Sequence, residues 1–348
     1  MPIAACSFQV PTRGHTVVSK AGHGADPTRR ERILVVDFDD TCTVGDTISH
    51  LVGSAMVPSV HGAGVVEEKE RVYARLLRDY MTERNELVER LFSDDLRYQQ
   101  QGWLEMFLDR LSHFETRRND VVVASKILQG ATMETISEAA SKVVFREACV
   151  ETLRRMMMSQ GSRVAVLSAN WSEEFIRASL EKEGLDARKL TVVANSLEFE
   201  VADFENDIEV ESRVAIDSEG RSSLSSGVAT GGMRVRRCQT PNDKDRLLKD
   251  LVMGQGGESS ECLSVFVGDS VGDVRGLLGA GVENHVGIMM GRNALLGRVL
   301  ERSGVDVRDL GEEGVFEEVG WRLAAEGGRP VFRTDSWEDV MRILGLHC

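Results

Sequence analysis

Ile33-Leu34-Val35-Val36-Asp37-Phe38-Asp39-Asp40-Thr41 passes from an unbroken apolar run straight into acids. A run that short, apolar at every position and not only at alternate ones, predicts a strand buried on both faces of a parallel sheet. The same form returns at residues 164–167 and 265–267, with 190–194 and 286–290 as further strands, each far enough from its predecessor for a crossover helix. The expected fold class is α/β, a doubly wound parallel sheet. Open sheets of this kind bind ligands at the carboxyl ends of their strands, which is where the acids follow.

Between the first two strands the pattern changes. Proline is absent from Pro58 to Pro241 and glycine between Gly64 and Gly102, while Val72, Leu76 and Tyr80 recur at helical spacing, as do Leu104, Phe107, Leu108 and Leu111. Residues 50–147 are therefore read as an inserted helical cap, interrupting a core of 31–49 and 148–348. Residues 1–30 form a leader expected to be disordered, and Glu198 to Gly232, rich in acids, Ser and Gly, reads as strands joined by a long flexible loop, with 201–232 taken as that polar flexible loop within the core.

Composition narrows the partners. In 348 residues, 56 acids against 42 bases give a net charge of −14, which repels nucleic acid and anionic membranes, and no basic patch overrides it. Arg234, Arg236 and Arg237 alternate in an apolar stretch and read as the wet face of a strand. No apolar run approaches the ~20 residues of a membrane span. The six cysteines are scattered without metal-binding spacing and read as free thiols of a reducing compartment. The leader has no apolar signal-peptide centre, so the expected location is cytoplasmic, with a weak plastid or mitochondrial transit peptide as the alternative.

Four constellations carry chemistry. Asp37 and Asp39 end the first strand; a solvated turn is the plain alternative, but a chain that coils there points both into one crevice. Gly268-Asp269-Ser270-Val271-Gly272-Asp273 follows the strand at 265–267. Four carboxylates converging at one sheet edge would repel one another, and an all-oxygen set of this kind suits Mg²⁺. Ser168-Ala169-Asn170 follows the strand at 164–167 and offers a hydroxyl and backbone N–H groups at an expected helix N-terminus, as an anion site or as a simple N-cap. Lys244 opposes the dipole of the helix it opens, unless it faces a phosphate; Lys249 is the alternative.

Asp37-x-Asp39-x-Thr41, Ser168, Lys244 and Gly268-Asp269-x-x-x-Asp273, in that order, resemble the motifs of the haloacid dehalogenase superfamily of phosphotransferases. The resemblance implies a Rossmann-like core with strand order 5-4-1-2-3 and a mobile cap over the active site. It implies Asp37 as nucleophile and Asp39 as general acid and base, with phosphate held by Thr41, Ser168, Ala169, Asn170 and Lys244. Mg²⁺ would be held by Asp37, the backbone carbonyl of Asp39, Asp269 and Asp273. The second acid, Asp39, favours a phosphatase over a dehalogenase, since a halide leaves without a proton.

Within the superfamily the chain is similar to the phosphatase module of plant thiamine-biosynthesis proteins, which acts on thiamine monophosphate. This likeness rests on Thr41-Cys42-Thr43, Leu167-Ser168-Ala169-Asn170-Trp171-Ser172, Ala194-Asn195-Ser196-Leu197-Glu198-Phe199 and Thr334-Asp335-Ser336-Trp337. A small phosphorylated metabolite is thus the expected partner, with a pyrimidine nucleotide, pyridoxal phosphate or phosphoserine as alternatives, and a non-catalytic phosphate-binding protein as the rival class. Asp46 is either a partner for a cationic substrate or a helix N-cap. Trp171 either stacks on an aromatic substrate or packs between core and cap.

Overall fold

The computed structural model describes residues 31–57, 62–93, 102–201, 227–253, 262–311 and 330–346. The leader and residues 202–226 of the expected polar loop lie outside them, as do residues 94–101 of the insertion. In chain order the main elements are β1 (Arg32–Val36), α1 (Ile48–Ser54), α2 (Ala63–Ser93), α3 (Trp103–Ser125), α4 (Met133–Ala140), α5 (Cys149–Met158), β2 (Ser162–Leu167), α6 (Glu173–Lys182), β3 (Thr191–Val193), β4 (Ser196–Val201) and β5 (Gly227–Val235). They continue with α7 (Pro241–Met253), β6 (Leu263–Gly268), α8 (Val274–Leu278), β7 (His285–Met290), α9 (Ala294–Arg302), β8 (Val307–Asp309), β9 (Val331–Thr334) and α10 (Trp337–Ile343).

Seven strands form one sheet in the order β3-β2-β1-β6-β7-β9-β8, every pair parallel. Its first five members, read from β7 to β3, follow the 5-4-1-2-3 order. Strand β1 sits inside the sheet, and its alternate residues feed two apolar layers: Leu34 and Val36 one, Ile33 and Val35 the other. Both faces are covered, which is why its sequence is continuously apolar. The register sets Val36 beside Val166 on one side and Val267 on the other. The Asp37 N–H extends the ladder to the Val267 carbonyl at 2.9 Å. The segments after β1, β2 and β6 therefore leave the sheet at one common edge.

Two expectations change in detail. The expected loop at 201–232 ends too late, because 227–232 belongs to β5, which pairs antiparallel with β4 in a separate sheet. Its Gly231-Gly232 pair reads as a loop, but Gly231 has φ +85° and a Cβ there would meet the Lys126 Cα at 3.0 Å, so glycine serves close packing within a strand. The insertion is also less uniform than expected. Helix α1 runs across its 49/50 boundary, and α1 and α4 bury Leu51, Val52, Ile136 and Ala139 in the same apolar layer as β1 and β2. The long helices α2 and α3 line a cavity at the strand ends, pairing Tyr80 with Phe114 at 5.5 Å between ring centroids.

Cys42, Cys149, Cys238 and Cys262 are buried free thiols, as expected; Arg234, Arg236 and Arg237 are exposed, but only Arg234 lies on a strand, because β5 ends at Val235. No helix among the described residues is long and apolar enough to cross a membrane.

The C-terminal helix braces the first motif. Trp337 is 1% exposed and its indole N–H donates to the Thr41 carbonyl at 3.0 Å, so α10 holds the loop that follows Asp37. Trp337→Ala removes a large buried side chain and leaves that carbonyl without its donor. Urea denaturation is expected to show a loss of about 3–5 kcal/mol in unfolding free energy.

Candidate active site

The nucleophile candidate owes its place to a tight coil after β1. The Phe38 carbonyl accepts from the N–H groups of Cys42 and Thr43 at 2.9 and 3.2 Å, and Asp40 takes a left-handed backbone, φ +56°, which aspartate tolerates. Asp37 and Asp39, on either side of Phe38, line the same cavity. Asp37 is buried, and its Oδ1 accepts from the Lys244 ammonium at 2.7 Å.

Lys244 is the electrostatic centre. It lies in the first turn of α7, is 3% exposed, and bridges Asp37 to Asp273 Oδ1, the latter at 2.6 Å. Burial alone would lower its pKa, but the charges of Asp273 and Asp37 outweigh that and hold it well above the ordinary lysine value. The alternative, Lys249, pairs with Asp245 at 2.8 Å on the open side of the helix and takes no part.

Asp273 is wholly buried, and its Oδ2 accepts from the N–H and hydroxyl of Ser270 at 3.0 and 2.8 Å. Gly268 makes this fold of the loop feasible: a Cβ there would stand 2.5 Å from Asp273 Cγ. Asp269 is fixed from the opposite loop, accepting from Thr41 Oγ1 at 2.8 Å. Oxygens of Asp37, Asp269 and Asp273 lie within 4.8 Å of one another. Burial first, and then the neighbouring carboxylates, push Asp37 well above the usual carboxylate range and Asp269 up to about 7. One lysine does not balance three acids. A hard divalent cation fits the all-oxygen set, and Asp37, Asp269 and Asp273 are the side chains that would hold it.

Asp39 is turned away from this cluster. Its Oδ1 accepts from the N–H and hydroxyl of Thr47 at 2.8 and 2.5 Å, and its Oδ2 from Asn170 Nδ2 at 2.9 Å. The Asn170 side chain, expected on phosphate, is thus spent on orienting Asp39, and the Thr41 hydroxyl, expected there too, is spent on Asp269. Ser168 also differs from expectation. Helix α6 begins only at Glu173, capped by Ser172, whose Oγ accepts from the Phe175 N–H at 3.1 Å. Ser168 lies in the loop before it, buried, with its Oγ accepting from the Asn170 N–H at 3.1 Å, while Ala169 is exposed to the cavity.

Asn195, after β3, secures this loop: its Nδ2 lies 3.2, 3.0 and 3.1 Å from the carbonyls of Ala169, Asn170 and Cys238. Neither Asn195 nor Thr47 has a sequence pattern that reveals its role, beyond the position of Asn195 at a strand end.

The cavity, about 330 Å³, runs from Asp37 to the inner faces of α2 and α3. Asp46 lines it, accepts from the Ile48 N–H at 2.7 Å from a position one residue before Thr47, which is the N-cap of α1, and is pushed up to about 6 by burial and then by the charge of Asp39. Trp171 lines it too, and its indole N–H donates to Asn119 of α3 at 3.1 Å. Each of these residues has both a structural contact and a face on the cavity.

No protein-family model matches the chain. The bifunctional TH2 protein, mitochondrial, of Arabidopsis thaliana is 24% identical over 295 residues, which are 80% of this chain and 42% of that protein. The chain thus spans less than half the length of this relative. Among solved structures, a substrate-bound phosphoserine phosphatase is 16% identical with TM-score 0.40, covering 92% of this chain and 100% of its own. Cytosolic 5'-nucleotidase IIIB bound to cytidine is 15% identical with TM-score 0.42, covering 79% and 78%. In its strand order and in the succession of Asp37, Asp39, Ser168, Lys244, Asp269 and Asp273 along the strand ends, the chain is similar to the haloacid dehalogenase phosphatases.

Proposed function

We propose that this chain is a Mg²⁺-dependent phosphomonoester hydrolase working through a phosphoaspartyl intermediate on Asp37. The observation that carries the reading is Lys244 bridging two carboxylates of a buried three-acid cluster, beside a separately held fourth acid. A cluster of that charge has no stabilising purpose of its own, because burying unbalanced carboxylates costs free energy. Its value lies in binding a cation and an anionic substrate.

In the first step an Asp37 oxygen attacks phosphorus in line, and the bond from phosphorus to the ester oxygen breaks. Asp39 gives its proton to the departing alkoxide. In the second step Asp39 takes a proton from water as that water attacks the phosphoaspartate, releasing phosphate and restoring the Asp37 carboxylate. Thr47 and Asn170 keep Asp39 aimed in both steps. Lys244 and the N–H groups around Phe38 and Ala169 receive the charge that shifts onto the phosphoryl oxygens. Bound Mg²⁺ supplies charge neutralisation between the phosphate and the nucleophile.

Within this class we assign thiamine monophosphate as substrate, supported by the likeness of the 167–172 and 194–199 stretches to plant thiamine-biosynthesis phosphatases and by the match to the Arabidopsis protein. That relative's mitochondrial name favours the organellar reading of residues 1–30 over the cytoplasmic one.

Phosphate release is to be measured over thiamine monophosphate, pyridoxal phosphate, phosphoserine and nucleoside monophosphates. Mg²⁺-dependent turnover that favours thiamine monophosphate is expected, with none in Asp37→Asn and kcat reduced about 10²–10⁴-fold in Asp39→Asn. Preference for another ester would discard the thiamine assignment and keep the class. No turnover from a folded protein would discard both.

Lys244→Met leaves Asp37 and Asp273 facing each other without a cation, and denaturant titration is expected to show a loss of about 3–5 kcal/mol.

Asp46 is neutral below about pH 6 and charged above it. If it pairs with a cationic substrate, KM for thiamine monophosphate relative to p-nitrophenyl phosphate falls as pH rises through that value. In Asp46→Asn the ratio is flat; a wild-type ratio independent of pH removes Asp46 from substrate binding.

A further inference from the structure

At the end of the cavity away from Asp37, α2 and α3 place a donor and an acceptor side by side. Glu115 on α3 accepts from the Tyr80 hydroxyl at 3.0 Å through Oε1, the same oxygen that lies 4.0 Å from Arg84 Nε. All three residues line the cavity. Arg84 Nε is buried and has no hydrogen-bond acceptor, since 4.0 Å is beyond hydrogen-bond reach. Its neighbour Arg118 is already committed, to Glu83 at 3.1 Å and to the Leu76 carbonyl at 3.2 Å. The remaining wall here is apolar and aromatic, with Tyr73, Leu111 and Val122.

A buried guanidinium N–H without an acceptor costs free energy, and a carboxylate oriented by a phenol is an expensive way to tie two helices together. A ligand in the cavity that supplies an acceptor to Arg84 and a donor to Glu115 gives each of these lining residues a partner. Between aromatic and aliphatic walls such a ligand is a flat ring, and adjacent acceptor and donor atoms on one edge are those of an amino-substituted nitrogen heterocycle.

We propose that Glu115, positioned by Tyr80 and paired with Arg84, is the specificity-determining residue for the leaving group, and that it selects phosphomonoesters of amino-heteroaromatic alcohols through the ring edge that carries the amino group. This inference rests on the phosphatase reading for its catalytic consequence, but binding tests it independently.

The matched probes are thiamine, whose ring edge offers an amino donor beside a nitrogen acceptor, and oxythiamine, in which donor and acceptor are exchanged. Calorimetric titration of the full chain is expected to show thiamine bound roughly tenfold or more tighter than oxythiamine. Glu115→Gln, which replaces one acceptor by a donor, is expected to abolish or reverse that preference. Its kcat/KM for thiamine monophosphate should fall at least tenfold, chiefly through KM, with that for p-nitrophenyl phosphate changed less than twofold. Thermal unfolding of the variant shows whether the helices remain tied.

Equal affinity of the wild-type chain for the two probes, no binding of either, or an equal fall on both esters would overturn the proposal and leave Tyr80–Glu115 as a tie between helices. Glu115-dependent binding of thiamine without any Asp37-dependent turnover would sink the phosphatase reading and leave the subsite standing.

Discussion

The structure depends on gathering Asp37, Asp269 and Asp273 within 4.8 Å against a single buried ammonium. Like charges at such a distance in a poorly solvated edge oppose folding, and the upward push on Asp37 and Asp269 expresses that opposition. Each acid is therefore held by a different part of the chain. Sheet register holds Asp37, the first motif's Thr41 holds Asp269, Ser270 holds Asp273, and α7 delivers Lys244. A phosphate dianion added to this set makes the imbalance worse. In the proposed phosphatase a divalent cation and the lysine together would keep the Asp37 carboxylate ionised with substrate present.

The parts that were legible in the sequence are those where burial leaves a local imprint. Strands β1, β2 and β6 are covered on both faces, so every position is apolar and each run ends where the acids begin. Strands β8 and β9 leave no such imprint, because they are three and four residues long and carry Arg308 and Arg333.

The residue types at strand ends say which side chains the sheet gathers, but not the partner of each. Thr41, Ser168 and Asn170 reach the site, yet the bonds of Thr41 and Asn170 are to acids, and the helix cap is Ser172. Such pairings are decided by contacts as distant in sequence as Thr41 with Asp269 or Asn170 with Asp39. No local pattern encodes them.

Chemistry and selection are built on separate elements that meet at one dipeptide. Asn170 orients Asp39, and Trp171 is tied to Asn119, on the same helix as Glu115. A displacement of α3 therefore acts on the residue next to Asn170, which orients Asp39. In the proposed mechanism Asp39 delivers its proton only from within hydrogen-bond reach of the ester oxygen. In the proposed reading a leaving group seated against α3 would stabilise the placement of that helix, and with it the strand-end loop that holds Asp39. Selectivity in the proposed arrangement is expressed chiefly through affinity for the leaving group, with proton delivery as a smaller contribution. It does not require the phosphate site itself to distinguish one ester from another.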